Sequence, residues 1–328
     1  MALESLLYQM KLISKTSDRN TAMTSAIAHK PYRPVFTSQA MEAFVRLRER
    51  KVAADVHDLQ VEMGLSREKL VRKLAKDLIN GMDSLAGELE GEKISLHSGH
   101  PKITRRIQAT VDFLNYVGPL NSYGLECEVL REALHDYHLD SAFHSDRVRE
   151  AVVKIADYRL TRANQNLFLA AQFHDIGKLA VPRCLLNTDS ELLPAERKIL
   201  EQHQIIGYLF LRSLKSLERV AAVMRFTHVE KGYPDGIENG KVPFDAHFLI
   251  IADTMDACLL DREYRRDPCL SKEQLFEELV SHKKPRHPLK TLTATARVLG
   301  LNYSDASRIL GRVFHEGKEI RLIEKMLG

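Results

Sequence analysis

An imidazole, a carboxylate and an ammonium stand within five residues of each other in His174-Asp175-Ile176-Gly177-Lys178-Leu179-Ala180-Val181-Pro182. The preceding run, Leu167, Phe168, Leu169, Ala170, Ala171 and Phe173, is apolar and small. It predicts a buried helix that ends at Gly177 and Pro182. Such groups at the last turn of a buried helix are costly if left unpaired, so each should meet a partner. A divalent metal is the simplest partner for a neutral histidine beside an ionised aspartate. The dipeptide also occurs at His57-Asp58 and His135-Asp136, without the apolar lead-in or the Gly-Lys that follows. Those two copies read as ordinary solvated pairs on helix surfaces.

Further imidazoles and carboxylates interrupt apolar stripes. His144 shares a helical face with Val148 and Ala151, and Asp140, one turn earlier, shares that face. His203 lies between Ile199 and Gly207, where the glycine would let another element approach closely. His228 ends the run Val220 to Phe226, and Asp253 sits inside Phe248-Leu249-Ile250-Ile251-Ala252-Asp253-Thr254-Met255. Taken singly, each reads as a core residue bonded to backbone; the argument lies in their number. Five helical segments each deliver an inward His or Asp, a donor set that suits Mn, Fe, Zn or Co, and the lack of thiolates speaks against a structural zinc site. Six or seven such donors are too many for one tetrahedral ion. They suit two adjacent metals bridged by a carboxylate and a hydroxide, a pair that generates a nucleophile near neutral pH and clamps phosphate oxygens. Lys178, Arg262 and Arg265 would then offset phosphoryl charge, and arginine suits bidentate contact with phosphate or a guanine edge.

The elements that must position these groups are helices. The chain has 328 residues, 44% hydrophobic and 28% charged, with a net charge of +4, which is too small to argue for nucleic acid. No apolar run is long enough to span a bilayer, and the first ten residues do not read as a signal peptide. Cys127, Cys184, Cys258 and Cys269 lack metal-finger spacing and read as free thiols of a reducing cytoplasm. Helical spacing runs from Ser38 to about Ile79, broken at Gly64-Leu65-Ser66, where Ser66 can cap a second, lysine-bearing helix. That resembles a helix-turn-helix, and a plain helical hairpin is the preferred reading. Residues 84–102 read as a loop or hinge, and 103–137 as helical again. No strand-like alternation is evident before about 240–250, so the fold class is all-α. Residues 282–328 carry ten Lys/Arg against four Asp/Glu and a second weak helix-turn-helix pattern around Gly300; a basic helical cap is preferred. The expected division is 1–130 as a helical accessory, sensor or docking domain, 131–281 as the metal-binding domain, and 282–328 as a basic helical extension.

The run His174 to Pro182, then His203, Gly232-Tyr233-Pro234-Asp235-Gly236, and Ile251-Ala252-Asp253-Thr254-Met255-Asp256-Ala257 with Asp261-Arg262-Glu263-Tyr264-Arg265, resembles the HD-GYP group of the HD metal-dependent phosphohydrolases. His144-Ser145-Asp146-Arg147-Val148 is similar to that group's first ligand helix, so the resemblance covers about 140–280. It implies an HD-type helical bundle, a binuclear or larger iron or manganese site with zinc as a further option, and hydrolysis of the bacterial messenger cyclic di-GMP by a metal-bridging hydroxide. It implies His144, His174, Asp175, His203, His228 and Asp253 as ligands, with Asp140 standing where the group can carry a further carboxylate. Asp175 and Lys178 are implied in catalysis. Lys178, Tyr233, Asp256, Arg262 and Arg265 are implied in contact with phosphate or guanine. The sequence departs from the pattern at His228-Val229-Glu230-Lys231-Gly232-Tyr233, where Val229 replaces a second histidine and the stretch before Gly-Tyr-Pro is shorter. That implies two metals rather than three, and a shortened loop.

Two functions of different class follow. One is a cytoplasmic cyclic di-GMP phosphodiesterase. The other is a degenerate module that binds cyclic di-GMP or a signalling partner, such as a diguanylate cyclase domain, without turnover. A homodimer is compatible with either, and neither involves a membrane or nucleic acid.

Overall fold

The computed structural model describes residues 64–92, 94, 99–117, 124–158, 165–188, 190–228, 242–259, 269–281, 287–314 and 317–327. All of them belong to one compact unit that spans 36–328. The described residues are helical, without a β-sheet. No helix among them is long and apolar enough to cross a membrane.

Helix α1 (Arg67–Met82) begins where Ser66 Oγ accepts from Lys69 N at 3.4 Å, the cap expected from the sequence. Its apolar stripe, Leu70, Leu74 and Leu78, is buried against α4 (Leu125–Tyr137). The first half of the hairpin expected here lies outside the described residues. The 84–102 stretch, expected as loop, contains a one-turn helix, α2 (Leu85–Glu88), before α3 (Pro101–Val117). Leu85, Ala86 and Leu89 are fully buried, and that burial fixes the turn despite the surrounding glycines.

Helix α5 (Leu139–Tyr158) is the hub, with Val148, Val152 and Ile155 fully buried. It packs on α4, on α6 (Gln165–Phe173) and on α10 (Phe244–Leu259). A tight 3-10 turn follows α6 at Ile176–Ala180, and then comes α7 (Arg183–Leu186). That turn lies against the long α8 (Pro194–Ser213), which continues into α9 (Glu218–Met224). Helix α10 is buried on nearly every side from Ala246 to Ala252, as befits a helix apolar all round. It replaces any strand from residue 244 onward.

The basic C-terminal stretch forms α12 (Leu289–Leu299), α13 (Tyr303–Leu310) and α14 (Gly317–Leu327), preceded by α11 (Lys272–Ser281). Gly300, at φ 72°, closes α12, and Asn302 caps α13 by accepting from Asp305 N. Helix α12 packs on the hub helix α5. On α13 and just beyond it, Arg308 and Arg312 pair with Glu277 of α11 at 3.5 and 3.0 Å. The basic side chains of this helical cap are thus partly matched within the chain.

Candidate metal centre

The end of α6 and the 3-10 turn carry the central motif. His174, Asp175, Ile176, Gly177 and Leu179 are buried, and Lys178 is partly exposed. Gly177 is a matter of space. A Cβ there would lie 1.7 Å from His203 O and 2.7 Å from Gly207 N, so only glycine lets the turn sit against α8. A Cβ on Gly207 would in turn lie 3.0 Å from Gly177 N. This close approach aims His203 at Asp175.

Two buried trios result. His144, His174 and Asp253 form one, and Asp175, His203 and His228 form the other; within each, the donor atoms lie within 4.8 Å of one another. In the first trio, His144 Nε2 lies 3.2 Å from His174 Nε2 and 3.1 Å from Asp253 Oδ1. In the second, His203 Nε2 lies 3.3 Å from His228 Nε2 and 3.4 Å from Asp175 Oδ1. Both carboxylates straddle the trios. Asp175 Oδ2 is 3.6 Å from His174 Nε2 and 3.7 Å from His144 Nε2, and Asp253 Oδ2 is 3.6 Å from His228 Nδ1.

The tautomers decide what this arrangement wants. His174 Nδ1 lies 2.8 Å from Ala171 O, and His203 Nδ1 lies 2.5 Å from Leu200 O. A carbonyl only accepts, so Nδ1 carries the proton in both rings and Nε2 presents a lone pair. His144 Nδ1 likewise donates to Asp256 Oδ2 at 2.6 Å. Lone pairs of His144 and His174 therefore converge with a carboxylate oxygen, and such a set repels itself unless positive charge lies between. Asp175 Oδ2 sharpens the point. It is buried and accepts no aligned hydrogen bond, although Lys178 Nζ stands 2.6 Å away, off the hydrogen-bond axis. The separations are those of neighbouring ligands around an ion bound at about 2.0–2.2 Å. The donor set fits divalent metal, and His and carboxylate without thiolate suit Fe, Mn or Zn.

The electrostatics of the two carboxylates agree. Burial alone would raise the Asp175 carboxyl, but Lys178 and the surrounding imidazoles hold it well below the usual range. Burial would likewise raise Asp253, and His144, His228 and His174 outweigh it and bring it down. His144 is pulled down by burial, yet the bonds to Asp253 and Asp256 prevail and raise it. His174, wholly buried, is lowered despite its acidic neighbours. The two carboxylates stay ionised and draw cations.

Other expected residues fall elsewhere. Asp140 is exposed in the first turn of α5, outside both trios. Asp256 is buried. Both its oxygens are engaged behind His144, by His144 itself and by Arg147, at 2.6 Å to Nε and 3.0 Å to Nη2. Tyr233, Arg262 and Arg265 lie outside the described residues. His135 and Asp136 are exposed, as a surface pair should be, and His57-Asp58 lies outside the described residues. Arg147 is not singled out by the apolar pattern; its spacing of three from His144 on the same helical face is the signal for it.

Residues 128–287 match the HD domain family. The matching segment starts in α4, ends just before α12 and contains both trios. A cyclic di-GMP phosphodiesterase of Thermotoga maritima is 34% identical over 117 residues, covering 34% of this chain and 31% of that protein. The segment is an HD domain of the HD-GYP type. The cyclic di-GMP phosphodiesterase response regulator RpfG of Xanthomonas campestris is 34% identical over 102 residues, covering 30% of this chain and 27% of that protein. The 3'3'-cGAMP-specific phosphodiesterase 2 of Vibrio cholerae is 31% identical over 161 residues, covering 47% of this chain and 30% of its own length. The chain thus spans about a third of the length of these curated relatives. No solved structure matches it significantly. In the HD domain, α5, α6 with its 3-10 turn, α8, the turn after α9, and α10 each contribute to the two trios.

Proposed function

We propose that the HD domain is a metal-dependent phosphodiesterase that hydrolyses cyclic di-GMP. The carrying observation is the pair of buried trios with Asp175 and Asp253 between them. His144, His174 and Asp253 would hold one divalent ion, and Asp175, His203 and His228 a second, with iron the first choice and manganese or zinc the alternatives. Bound ions at this place supply Lewis acidity to a phosphoryl group and lower the pKa of water.

The chain's own residues do the rest. His174, His203 and His144 keep Nε2 unprotonated because Nδ1 is spent on Ala171 O, Leu200 O and Asp256. Asp175 spans the two halves, so both halves hold one reacting group in register. Lys178, partly exposed and beside Asp175, is the ammonium that offsets charge as the phosphorus gains a fifth oxygen. Water oxygen bonds to phosphorus, the bond to the ribose 3' oxygen breaks, and that oxygen leaves with a proton, giving the linear dinucleotide. On this reading the protein works in the cytoplasm, with its substrate.

One sequence feature favours a second reading. Val229 in place of a histidine, with a shortened loop, suits a module that binds the dinucleotide without cleaving it. Incubating iron- or manganese-loaded protein with cyclic di-GMP separates the two. Conversion to linear dinucleotide or GMP, abolished by His174→Ala, is expected. Bound but intact nucleotide would favour the second reading, and neither binding nor turnover would overturn both.

A further inference from the structure

Three imidazoles of the centre have a pinned Nδ1, but they are not pinned alike. His174 and His203 each donate to a carbonyl three residues earlier in the chain. Those anchors are backbone and no substitution removes them. His144 is held from another helix, by the Asp256 carboxylate of α10 at 2.6 Å. Asp256 is itself gripped by the Arg147 guanidinium, Nε on Oδ1 at 2.6 Å and Nη2 on Oδ2 at 3.0 Å. Asp256 is buried, while the Arg147 side chain is 43% exposed.

We propose that Arg147 and Asp256 are positioning residues that act through His144: Arg147 orients Asp256, and Asp256 fixes the tautomer and aim of the one imidazole in the first trio whose anchor is a side chain. The inference rests on the metal-site reading above. A carboxylate behind a ligating imidazole fixes which nitrogen faces the ion and strengthens it as a donor. The fork of Arg147 adds a geometric constraint that a lysine would lack, because only a planar guanidinium meets both oxygens at once.

Asp256→Asn is informative because neither amide orientation works. With its NH2 toward Arg147, two donors face each other. With its NH2 toward His144, Nδ1 must accept, and the proton moves to Nε2, the nitrogen meant for the metal. Arg147→Gln removes the fork and leaves His144 and Asp256 in place.

The test is calorimetric titration of Mn(II) into the chelator-stripped full chain, with no substrate and no turnover. Wild type should bind two equivalents. In Asp256→Asn and Arg147→Gln one of the two should weaken by about 10–100-fold. Arg147→Lys should fall between Gln and wild type. Stripped Arg147→Gln should stay folded and melt only a few degrees below wild type, since Asp256 loses one partner but keeps His144; this keeps the proposal testable if Asp256→Asn does not fold. Variants that titrate like a metal-binding wild type would overturn the relay alone. A larger melting loss with both equivalents weakened alike would reduce it to a structural contact. A wild type that binds no Mn(II) would overturn the metal-site reading as well.

Discussion

Replacing Gly177 by alanine is the sharpest perturbation the structure offers. The added carbon would stand 1.7 Å from His203 O and 2.7 Å from Gly207 N, both backbone atoms of α8. A relaxed carbon–oxygen contact is about 3.3 Å or more, so turn and helix must part by roughly 1.5 Å. Overpacking of ordinary severity costs about 1–3 kcal/mol. Here no side chain can swing aside, so at least about 3 kcal/mol is expected. The function should suffer beyond the stability loss. His203 rides on the helix that is pushed away, and its Nε2 starts only 3.4 Å from Asp175 Oδ1. Metal–ligand distances tolerate deviations of about 0.2 Å, so a shift several times larger should empty the second trio. Thermal unfolding and Mn(II) titration of Gly177→Ala measure both effects. Gly87→Ala is the matched control. Its Cβ would meet Pro182 Cγ at 3.7 Å, an ordinary contact, and alanine favours helix there, so the control should melt at or slightly above wild type. Gly177→Ala with wild-type melting and wild-type Mn(II) binding would refute the close-packing argument.

Two further outcomes are expected. Lys178→Met should keep both metal equivalents but lose about 100-fold or more in turnover of cyclic di-GMP, as read from product formation at saturating metal. Burial alone would raise the Asp256 carboxyl, but the bonds from His144 and Arg147 outweigh it and hold it at about 2, below the usual 3.8. A depressed carboxylate stabilises the fold fully above its unfolded pKa and loses that contribution as pH falls through its folded one. The stripped chain should therefore lose roughly 1–2 kcal/mol from this group as pH drops from about 4 to 2, and chemical unfolding should show a smaller acid loss in Asp256→Asn.

What the sequence made legible follows from what local patterns encode. His174-Asp175 stood out because polar groups ended an apolar helix, and His144, His203, His228 and Asp253 because each broke an apolar stripe. Those stripes face the core, and the core is where the five segments meet. Gly207 was readable as a close approach, and Gly177, its partner, proves the tighter of the two. Asp140 illustrates the limit of periodicity. It shares a face with His144, but it sits in the first turn of α5, where that face has run past the core into solvent. Asp256 and Arg147 were beyond spacing rules, because 109 residues separate them and their roles exist only once α5 and α10 pack. The helix at 85–88 was hidden by Gly87 within it and Gly91 beyond it, since burial of Leu85 and Leu89 decides it. Tyr233, Arg262 and Arg265 stay with the sequence reading, outside the described residues.

The central claim is that six side chains from five helical segments hold two cations. Elemental analysis of anaerobically prepared full chain, repeated after dialysis against chelator and reloading with Mn(II), tests it directly. The account predicts close to two equivalents per chain in wild type and a clear loss in His174→Ala and in His203→Ala. A wild type that holds none, or equivalents that both substitutions leave untouched, would contradict it.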